Sequence, residues 1–327
     1  MSLKKAYSSM LKPSTLMSKA KRRSSRSGVS HIQTATIVVA VIVGVLAVVF
    51  AAWYLSGATG WFASSSFPSS LVVQEETESK EATIVGSHVK VEFSTFNSHI
   101  ILQPTSSDKL TVNIVKSGTE EGLENIVIEF SDEVDSNGVQ TISLTARRLN
   151  FMLFNAREGV RLEAMVPKDA SYSLDLESSN GRIEVSQLRG TELNGQTSNG
   201  RITLNEIDFT GIEADTSNGR VEGIIRSDEA VIQTSNGKID VTIVGAGEYS
   251  LQTSNGAIDV NLESDLPVRV DAGTSNGDVE WVGVAIEIDQ SGRGRLVAQT
   301  EGFDEAAERI AVVARTSNSN INVASRD

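Results

Sequence analysis

The chain has 327 residues, no cysteine, and 42 acidic against 29 basic residues, which gives a formal net charge of −13. The absence of cysteine excludes disulfide frameworks, thiolate catalysis and cysteine-ligated zinc. The length suits one large or two ordinary domains, and the acidic excess argues against a nucleic-acid partner.

The first 33 residues are basic. They contain eight lysines and arginines, whereas the first acidic residue of the chain is Glu75. The remaining 21 basic residues therefore stand against all 42 acidic ones. Such asymmetry indicates that the two parts occupy different environments. We expect residues 1–33 to form a disordered cytoplasmic head whose bases contact anionic lipid headgroups.

An uncharged run of valine, alanine, isoleucine and leucine follows at residues 35–55. As a helix, this run would span about 30 Å, the thickness of the hydrocarbon core of a bilayer. Trp53, Tyr54 and Trp61 stand at its far end, where aromatic rings favour the membrane interface. We predict a single transmembrane helix over 34–56. Because basic flanks stay in the cytoplasm, the C-terminal body is expected outside the cell membrane.

Two alternatives concern cleavage of this segment. A secretory signal would have a shorter apolar run, and the first small-residue cleavage site comes only at 63–65. Residues 26–29 are also similar to the prepilin-type signal of archaeal surface filaments, although Gln33 stands where those signals carry glutamate. Cleavage after Gly28 would turn the anchor into an assembly helix.

Residues 57–81 are rich in serine and glutamate and predict a stalk. The region 82–170 has strand patterns at 83–93, 110–115, 126–130, 140–145 and 160–166, separated by turn signals. We interpret it as an irregular β-rich first part, or cap, of the domain that follows. Residues 96–102 resemble a degenerate repeat with Ser98 in the glycine position. The apolar insertion at 147–157 is either core or a partner-binding tip.

A Thr-Ser-Asn-Gly phrase recurs through residues 171–327. Its asparagines are spaced by 19, 19, 18, 19 and 21 residues, and such a period indicates a repeat architecture. Because glycine adopts positive φ freely and asparagine tolerates it, each Asn-Gly pair is expected to turn the chain sharply. The predicted structural turn residues are Asn180, Gly181, Asn199, Gly200, Asn218, Gly219, Asn236, Gly237, Asn255, Gly256, Asn276 and Gly277.

Apolar residues alternate on both sides of each phrase, as Leu176, Ile183 and Val185 do around the first one. Each unit is therefore a strand, a corner and a second strand with one buried face. Two architectures fit: an array of Asn-Gly hairpins, or a parallel solenoid with rungs about 4.8 Å apart. The solenoid also explains why threonine and asparagine recur at identical positions, because stacking aligns them in ladders. We predict an all-β, parallel β-helix-like solenoid with rungs of about 19 residues.

Charged residues occupy two further recurring positions, opposite the apolar ones. The residue after glycine is usually basic, and the residue two places later is usually acidic. The candidate interaction stripe contains Arg182, Arg201, Arg220, Lys238, Glu184, Glu222, Asp240, Asp259 and Glu280. The simpler interpretation is a solvated face that keeps a long sheet soluble.

Residues 316–323 predict a last rung at the C-terminal end. Asn276 and Asn318 are 42 residues apart, twice the period, so an intervening rung is expected to have lost its signature. Residues 303–309 predict a short helix or a loop that leads into the last rung.

Residues 166–170, Val-Pro-Lys-Asp-Ala, precede Leu174-Asp175-Leu176 and the recurrent Thr-Ser-Asn-Gly-x-Ile/Val. Together they resemble the putative-adhesin β-strand-repeat family over residues 83–326. The resemblance implies a right-handed β-helix-like solenoid with a surface role on a prokaryotic envelope, often behind a membrane span. That family brings no established catalytic residues, so none is transferred to this chain.

The residues themselves predict neither catalysis nor a cofactor or metal. His88 and His99 lack a companion cluster, and acids recur in every unit rather than as one pair. The expected function is a membrane-anchored extracytoplasmic surface protein, a non-enzymatic adhesin-like interaction or scaffold module. Its partner would be an unknown protein or envelope polymer, and a homo-oligomer stays open. The alternatives are a polysaccharide-active β-helix enzyme and a filament-forming, pilin-like structural subunit.

Overall fold

The computed structural model describes residues 73–149 and 158–325, which all belong to one unit of the chain, residues 67–327. The basic head, the transmembrane helix predicted over 34–56 and most of the predicted stalk lie outside the described residues. In the described ranges, no helix has both the length and the apolar character that a membrane crossing requires.

The described part of the chain contains 22 strands and one short helix, which confirms the all-β prediction. The helix, α1 (Glu120–Glu124), lies between the fourth and fifth strands and was not predicted. In chain order the strands are β1 (Gln74–Thr83), β2 (His88–Thr95), β3 (His99–Thr105), β4 (Lys109–Gly118), β5 (Ile126–Val134), β6 (Gln140–Arg148), β7 (Gly159–Pro167), β8 (Ser171–Ser178), β9 (Ile183–Ser186), β10 (Arg189–Thr197), β11 (Ile202–Thr216), β12 (Val221–Arg226), β13 (Glu229–Thr234), β14 (Ile239–Ile243), β15 (Gly247–Thr253), β16 (Ile258–Leu262), β17 (Val268–Thr274), β18 (Val279–Val282), β19 (Glu287–Gly292), β20 (Arg295–Gln299), β21 (Ile310–Thr316) and β22 (Ile321–Ser325).

Two stacks of parallel strands form the body. The upstream stack contains the strands that precede a corner, in the spatial order β6, β2, β8, β10, residues 211–216 of β11, β13, β15, β21 and β17. The downstream stack contains the strands that follow a corner, in the order β7, β3, β9, residues 202–208 of β11, β12, β14, β16, β22 and β18. Each rung gives one strand to each stack. Because neighbouring strands run parallel, the hairpin array is excluded.

Two rungs lie out of chain order. The β2/β3 rung lies between the β6/β7 and β8/β9 rungs. The β21/β22 rung lies between the β15/β16 and β17/β18 rungs. The prediction of an intervening rung between Asn276 and Asn318 is therefore wrong. The chain instead makes an excursion through β19 and β20, and Asn318 returns to a place between Asn255 and Asn276.

Antiparallel strands flank the stacks at both ends. At one end β5 pairs with β6, β4 pairs with β7, and β1 pairs with β4. At the other end β20 pairs with β17, and β19 pairs with β20. Within the described ranges, β18 pairs with β22 alone. The helix α1 begins after Thr119, whose hydroxyl accepts a hydrogen bond from the Gly122 N–H at 3.2 Å, a capping arrangement that threonine favours.

The buried faces of the two stacks form one hydrophobic core. Ile183, Ile202, Val221, Ile239 and Ile258 lie in register in successive rungs, and each has a relative exposure of 0%. β-Branched side chains suit such a column because they pack well on a pleated surface. The alternation seen in the sequence therefore produces a continuous apolar interior along the axis of the stack.

Two tyrosines extend this core without leaving their hydroxyl groups unsatisfied. The Tyr172 hydroxyl donates to the Pro167 carbonyl at 2.5 Å. The Tyr249 hydroxyl lies 3.0 Å from the carbonyl oxygens of Ser227 and Gly245. Burial raises the pKa of both tyrosines above the usual range because it disfavours the phenolate.

Candidate functional site

The corner asparagines form a continuous line of side-chain hydrogen bonds along the stack. In each of seven successive pairs, the Nδ2 group of one asparagine donates to the Oδ1 atom of its neighbour, at 2.5–2.8 Å. All six asparagines of the predicted turn set belong to this ladder. Asn97 and Asn318 join it from the two rungs that lie out of chain order. In spatial order the ladder is Asn97, Asn180, Asn199, Asn218, Asn236, Asn255, Asn318 and Asn276.

A second ladder runs through the buried corner hydroxyls. The Thr216 hydroxyl accepts a hydrogen bond from the Gly219 N–H of its own rung at 3.1 Å and donates one to the Gly200 carbonyl of the preceding rung at 3.0 Å. Equivalent bridges occur at Ser178, Thr197, Thr234 and Thr253. Buried backbone groups need such partners. The first residue of the phrase therefore fastens each corner to the next.

The corner glycines are required for a different reason from the expected one. None of the six has a positive φ, so the proposed left-handed turn is wrong. A Cβ atom built on Gly219 would lie 1.6 Å from the Gly200 carbonyl oxygen, and one on Gly200 would lie 1.7 Å from the Gly181 oxygen. Only glycine permits so close an approach of backbone to backbone. Positive φ occurs instead at Asn97 (42°), before Ser98.

The candidate interaction stripe lies on the outer face of the downstream stack. Its acidic members Glu222, Asp240 and Asp259 occupy the same register position in successive rungs. Glu184 continues this row on one side beyond Thr203. Glu280 continues it on the other side beyond Asn322. The structure thus brings the predicted charged residues into two neighbouring rows.

All four bases of the stripe pair with its acids. Arg201 and Arg220 lie 3.0 Å and 3.3 Å from the two carboxylate oxygens of Glu222. Arg182 lies 3.7 Å from Glu184, and Lys238 contacts Asp240 at 2.6 Å. These groups are partly exposed, so each pair contributes only about 0–1 kcal/mol to stability. A self-neutralised, solvated face is the role that this geometry favours.

Lys238 holds a central place in the stripe, because it also contacts Asp259. Desolvation lowers the pKa of the Lys238 ammonium, but hydrogen bonds to Asp240 and Asp259 outweigh this effect, and the pKa is raised. The lysine therefore remains charged and links two rungs.

The basic row extends further than the sequence indicated. His99 pairs in register with Arg161, and its rung lies beside Arg182. Burial, followed by the charges of Arg182 and Arg161, lowers the pKa of His99, because both effects disfavour the imidazolium. His99 follows Ser98, the glycine position of the degenerate repeat at 96–102, so the sequence could have placed it in this row. Arg161 was missed because no Ser-Asn-Gly phrase precedes it to mark its place.

A polar groove of about 350 Å³ lies on the outer face of the upstream stack, beside the corners. Residues of β2, β8, β10 and β11 line it, including Glu177, Gln196 and Asp215. Sequence analysis did not single out these residues, although they share one offset from the Thr-Ser-Asn-Gly phrase. Neither in this groove nor elsewhere do the described residues contain a group of three or more histidine, aspartate or glutamate side chains arranged to hold a metal ion.

No curated protein matches the chain, whereas several solved structures do. A solved structure described as a "putative cell adhesion protein" from Clostridium sporogenes has 13% identity and a TM-score of 0.39, covering 76% of this chain and 100% of its own. A "putative adhesin" from Bacteroides fragilis has 10% identity and a TM-score of 0.39, covering 76% and 97%. A "putative lipid binding protein" from Parabacteroides distasonis has 13% identity and a TM-score of 0.28, covering 76% and 96%.

The family itself is established by a match to residues 88–304, which is well over half of the chain. This range includes all six Ser-Asn-Gly corners of the predicted turn set, so the resemblance noted from those residues is confirmed. The chain belongs to the Toastrack DUF4097 family.

Proposed function

We propose that this chain is a membrane-anchored surface protein outside the cytoplasm, whose solenoid acts without catalysis as an adhesin-like interaction or scaffold module. The observation that carries the proposal is the uninterrupted stack of rungs from β6/β7 to β17/β18. At about 4.8 Å per rung, its nine rungs extend for roughly 40 Å. Such a body presents long faces on which one chemistry repeats, and these suit an extended partner.

The carboxyl groups support a non-enzymatic role. Glycoside hydrolysis needs one pair of carboxyl groups, of which the general acid has a raised pKa. Here a hydrogen bond from Lys90 lowers the pKa of Glu92. The backbone N–H of Val139 is the first of several donors that lower the pKa of Asp135. The stripe acids Glu184 and Glu222 are held by arginines instead. A scaffold role explains repeated, neutralised acids better than catalysis does.

The filament alternative is disfavoured by the charge of the outer strands. β1, which flanks the downstream stack at one end beyond β4, carries Glu75, Glu76, Glu78 and Glu81. Lys116, Lys80 and Lys109 pair with the last three, and Glu75 leaves this edge net acidic. β19, the outermost strand of the upstream stack at the other end, carries Glu287 and Asp289. Acidic edges repel one another and discourage strand pairing between copies. Head-to-tail growth would therefore have to overcome like charges at each junction.

Protease digestion of intact cells tests the topology. Cells that display the full-length chain are treated with protease from outside, and fragments are detected through tags at both termini. The proposal predicts loss of the solenoid and protection of residues 1–33. A solenoid that becomes accessible only after cell lysis would contradict the orientation.

A binding and turnover assay tests the module itself. Detergent-solubilised full-length protein is applied to isolated prokaryotic envelopes, and the reducing ends released from envelope polysaccharides are measured in parallel. We expect saturable binding without turnover. Turnover by the wild-type protein that disappears in Glu184→Gln and Glu222→Gln would replace the scaffold role with an enzymatic one.

A further inference from the structure

We propose that the polar groove of the upstream stack is a binding site for a neutral polysaccharide, which lies along the axis of the stack. The inference rests on the interaction role proposed above and assigns it a ligand class. The groove lies on the outer face of the upstream stack, whereas the charged stripe lies on the outer face of the downstream stack. The lining residues of the groove are distant in sequence and come together because β2 lies beside β8.

The groove is built from repeated positions. Ser94, Glu177, Gln196 and Asp215 occupy one register position in four successive rungs. Neighbouring rungs are about 4.8 Å apart, so this row is about 14 Å long, enough for a short stretch of an extended sugar chain. A second row, formed by the serines of the corners, lines the same groove. Its members are Ser179, Ser198 and Ser217.

Several polar groups in the groove lack a protein partner. In residues 73–149 and 158–325, the Asp215 carboxylate and the hydroxyls of Ser179, Ser198 and Ser217 make no hydrogen bond or ion pair. Thr95 also lines the groove, but its Oγ1 atom is buried and out of reach of a ligand. The exposed serine hydroxyls and the Asp215 carboxylate are the groups that a ligand can contact. The groove therefore has unused hydrogen-bonding capacity concentrated along one line.

The lining chemistry selects the class of ligand. The residues that line the described groove supply hydroxyl, amide and carboxylate groups but no lysine or arginine. Two carboxylates, those of Glu177 and Asp215, repel an anionic polymer. Sugar hydroxyls both donate and accept, and their bonds to carboxylates are the stronger, charge-assisted kind. A neutral glycan matches this set of groups.

The dimensions agree with an extended ligand that binds weakly per unit. A volume of about 350 Å³ lies at the lower end of the range for small-molecule pockets. The described lining contains no aromatic ring, so sugars gain no stacking energy there. Affinity would then come from chain length and from many copies on one surface. Such weak, repeated binding suits a surface module.

Binding of defined hexasaccharides tests the inference. Detergent-solubilised full-length protein is immobilised, and equilibrium binding of cellohexaose, N-acetylchitohexaose and hexagalacturonate is measured. At least one of the two neutral glycans is expected to bind at least tenfold more tightly than the anionic one. Gln196→Lys, which places a long cation in the middle of the groove, should lower that affinity at least tenfold. Asp215→Asn should lower it several-fold.

Gln252→Lys is the matched control, because Gln252 lies in the same row but outside the groove. It should bind as the wild type does, and far-ultraviolet circular dichroism verifies that all variants are folded. Equal losses in Gln196→Lys and Gln252→Lys, or a preference for hexagalacturonate, would overturn the site. If neither neutral glycan binds but the protein still binds isolated envelopes, the ligand class is wrong and the proposed function stands. If envelopes do not bind either, the proposed function itself fails.

Discussion

The corner glycines give the sharpest test of how the rungs stack, and Gly219→Ala is the most informative change. An alanine Cβ at this position would lie 1.6 Å from the Gly200 carbonyl oxygen, whereas real Cβ contacts stay above 3.0 Å. The two rungs would have to separate locally by about 1.4 Å. Because interiors are close-packed, the neighbouring rungs cannot absorb such a shift without losing contacts of their own.

The cost follows from the bonds that this separation breaks. Two hydrogen bonds of the wild-type protein would break: the one from the Thr216 hydroxyl to the Gly200 carbonyl, which is 3.0 Å long, and the one from the Asn218 amide to the Asn199 Oδ1 atom, which is 2.6 Å long. Each hydrogen bond contributes about 0.5–1.5 kcal/mol, and a buried carbonyl left without a partner costs about 1–3 kcal/mol more. We therefore expect Gly219→Ala to lower the free energy of unfolding by about 2–6 kcal/mol.

Gly195→Ala is the matched control. It lies in the adjoining strand β10, and its Cβ would meet only Leu193 and Ile202 side-chain atoms at 3.8 Å and 3.9 Å, which are ordinary contacts. Alanine also reduces the entropy of the unfolded chain, so this variant should lie within about 1 kcal/mol of the wild type. Urea unfolding of the full-length proteins, followed by circular dichroism, compares them. Equal midpoints for Gly219→Ala and Gly195→Ala would refute the close-approach explanation.

Three further changes probe the ladders and one titratable group. Thr216→Val removes both corner hydrogen bonds and leaves a buried N–H unsatisfied, so urea unfolding should show a loss of about 2–3 kcal/mol, whereas Thr203→Val on the same strand should change stability by less than about 0.5 kcal/mol. Asn218→Asp places a carboxylate against the Oδ1 atom of Asn199; we expect a loss of about 1–2 kcal/mol at pH 7. Folding disfavours that carboxylate and raises its pKa, so unfolding midpoints measured below pH 4 should approach those of the wild type, and an unchanged deficit there would contradict the ladder. The pKa of His99 is lowered in the folded protein, so the unfolded state binds a proton at this residue first as the pH falls. Between pH 7 and pH 5, the wild type should therefore lose more stability than His99→Gln does. Parallel profiles of stability against pH for the two proteins would argue against this effect.

The recurrent phrase was sufficient to predict an all-β repeat fold and to favour the solenoid over the hairpin array, because stacking aligns identical residues that recur at a fixed period. The recurrence of asparagine and threonine at fixed positions predicts the two ladders, because a line of amides or hydroxyls needs the same residue in each layer. The alternation around Ile183 and Ile202 predicted which faces are buried. Local pattern and tertiary packing agree here, which is why this part of the prediction succeeded.

Other features depend on contacts that the local sequence does not contain. The role of Gly219 depends on a carbonyl of another rung, so local backbone preferences suggested the wrong reason for glycine. A spacing of 42 residues between Asn276 and Asn318 fits a lost rung and an excursion equally well. The groove joins Ser94 to Glu177 only because β2 lies beside β8. For the excursion and the groove, the missing information was the spatial order of the rungs. For Gly219, it was the short distance between neighbouring corners.

The place of the β21/β22 rung has a consequence for biosynthesis. Residues 310–325 emerge from the ribosome after β17 to β20, yet in the finished molecule they are an interior layer between older ones. The β17/β18 layer therefore cannot pair with β21 and β22, its parallel neighbours in the stack, until translation has passed beyond it. A nascent chain arrested before residue 310 would leave the edges of β15 and β16 without their final partners, and unpaired strand edges favour aggregation.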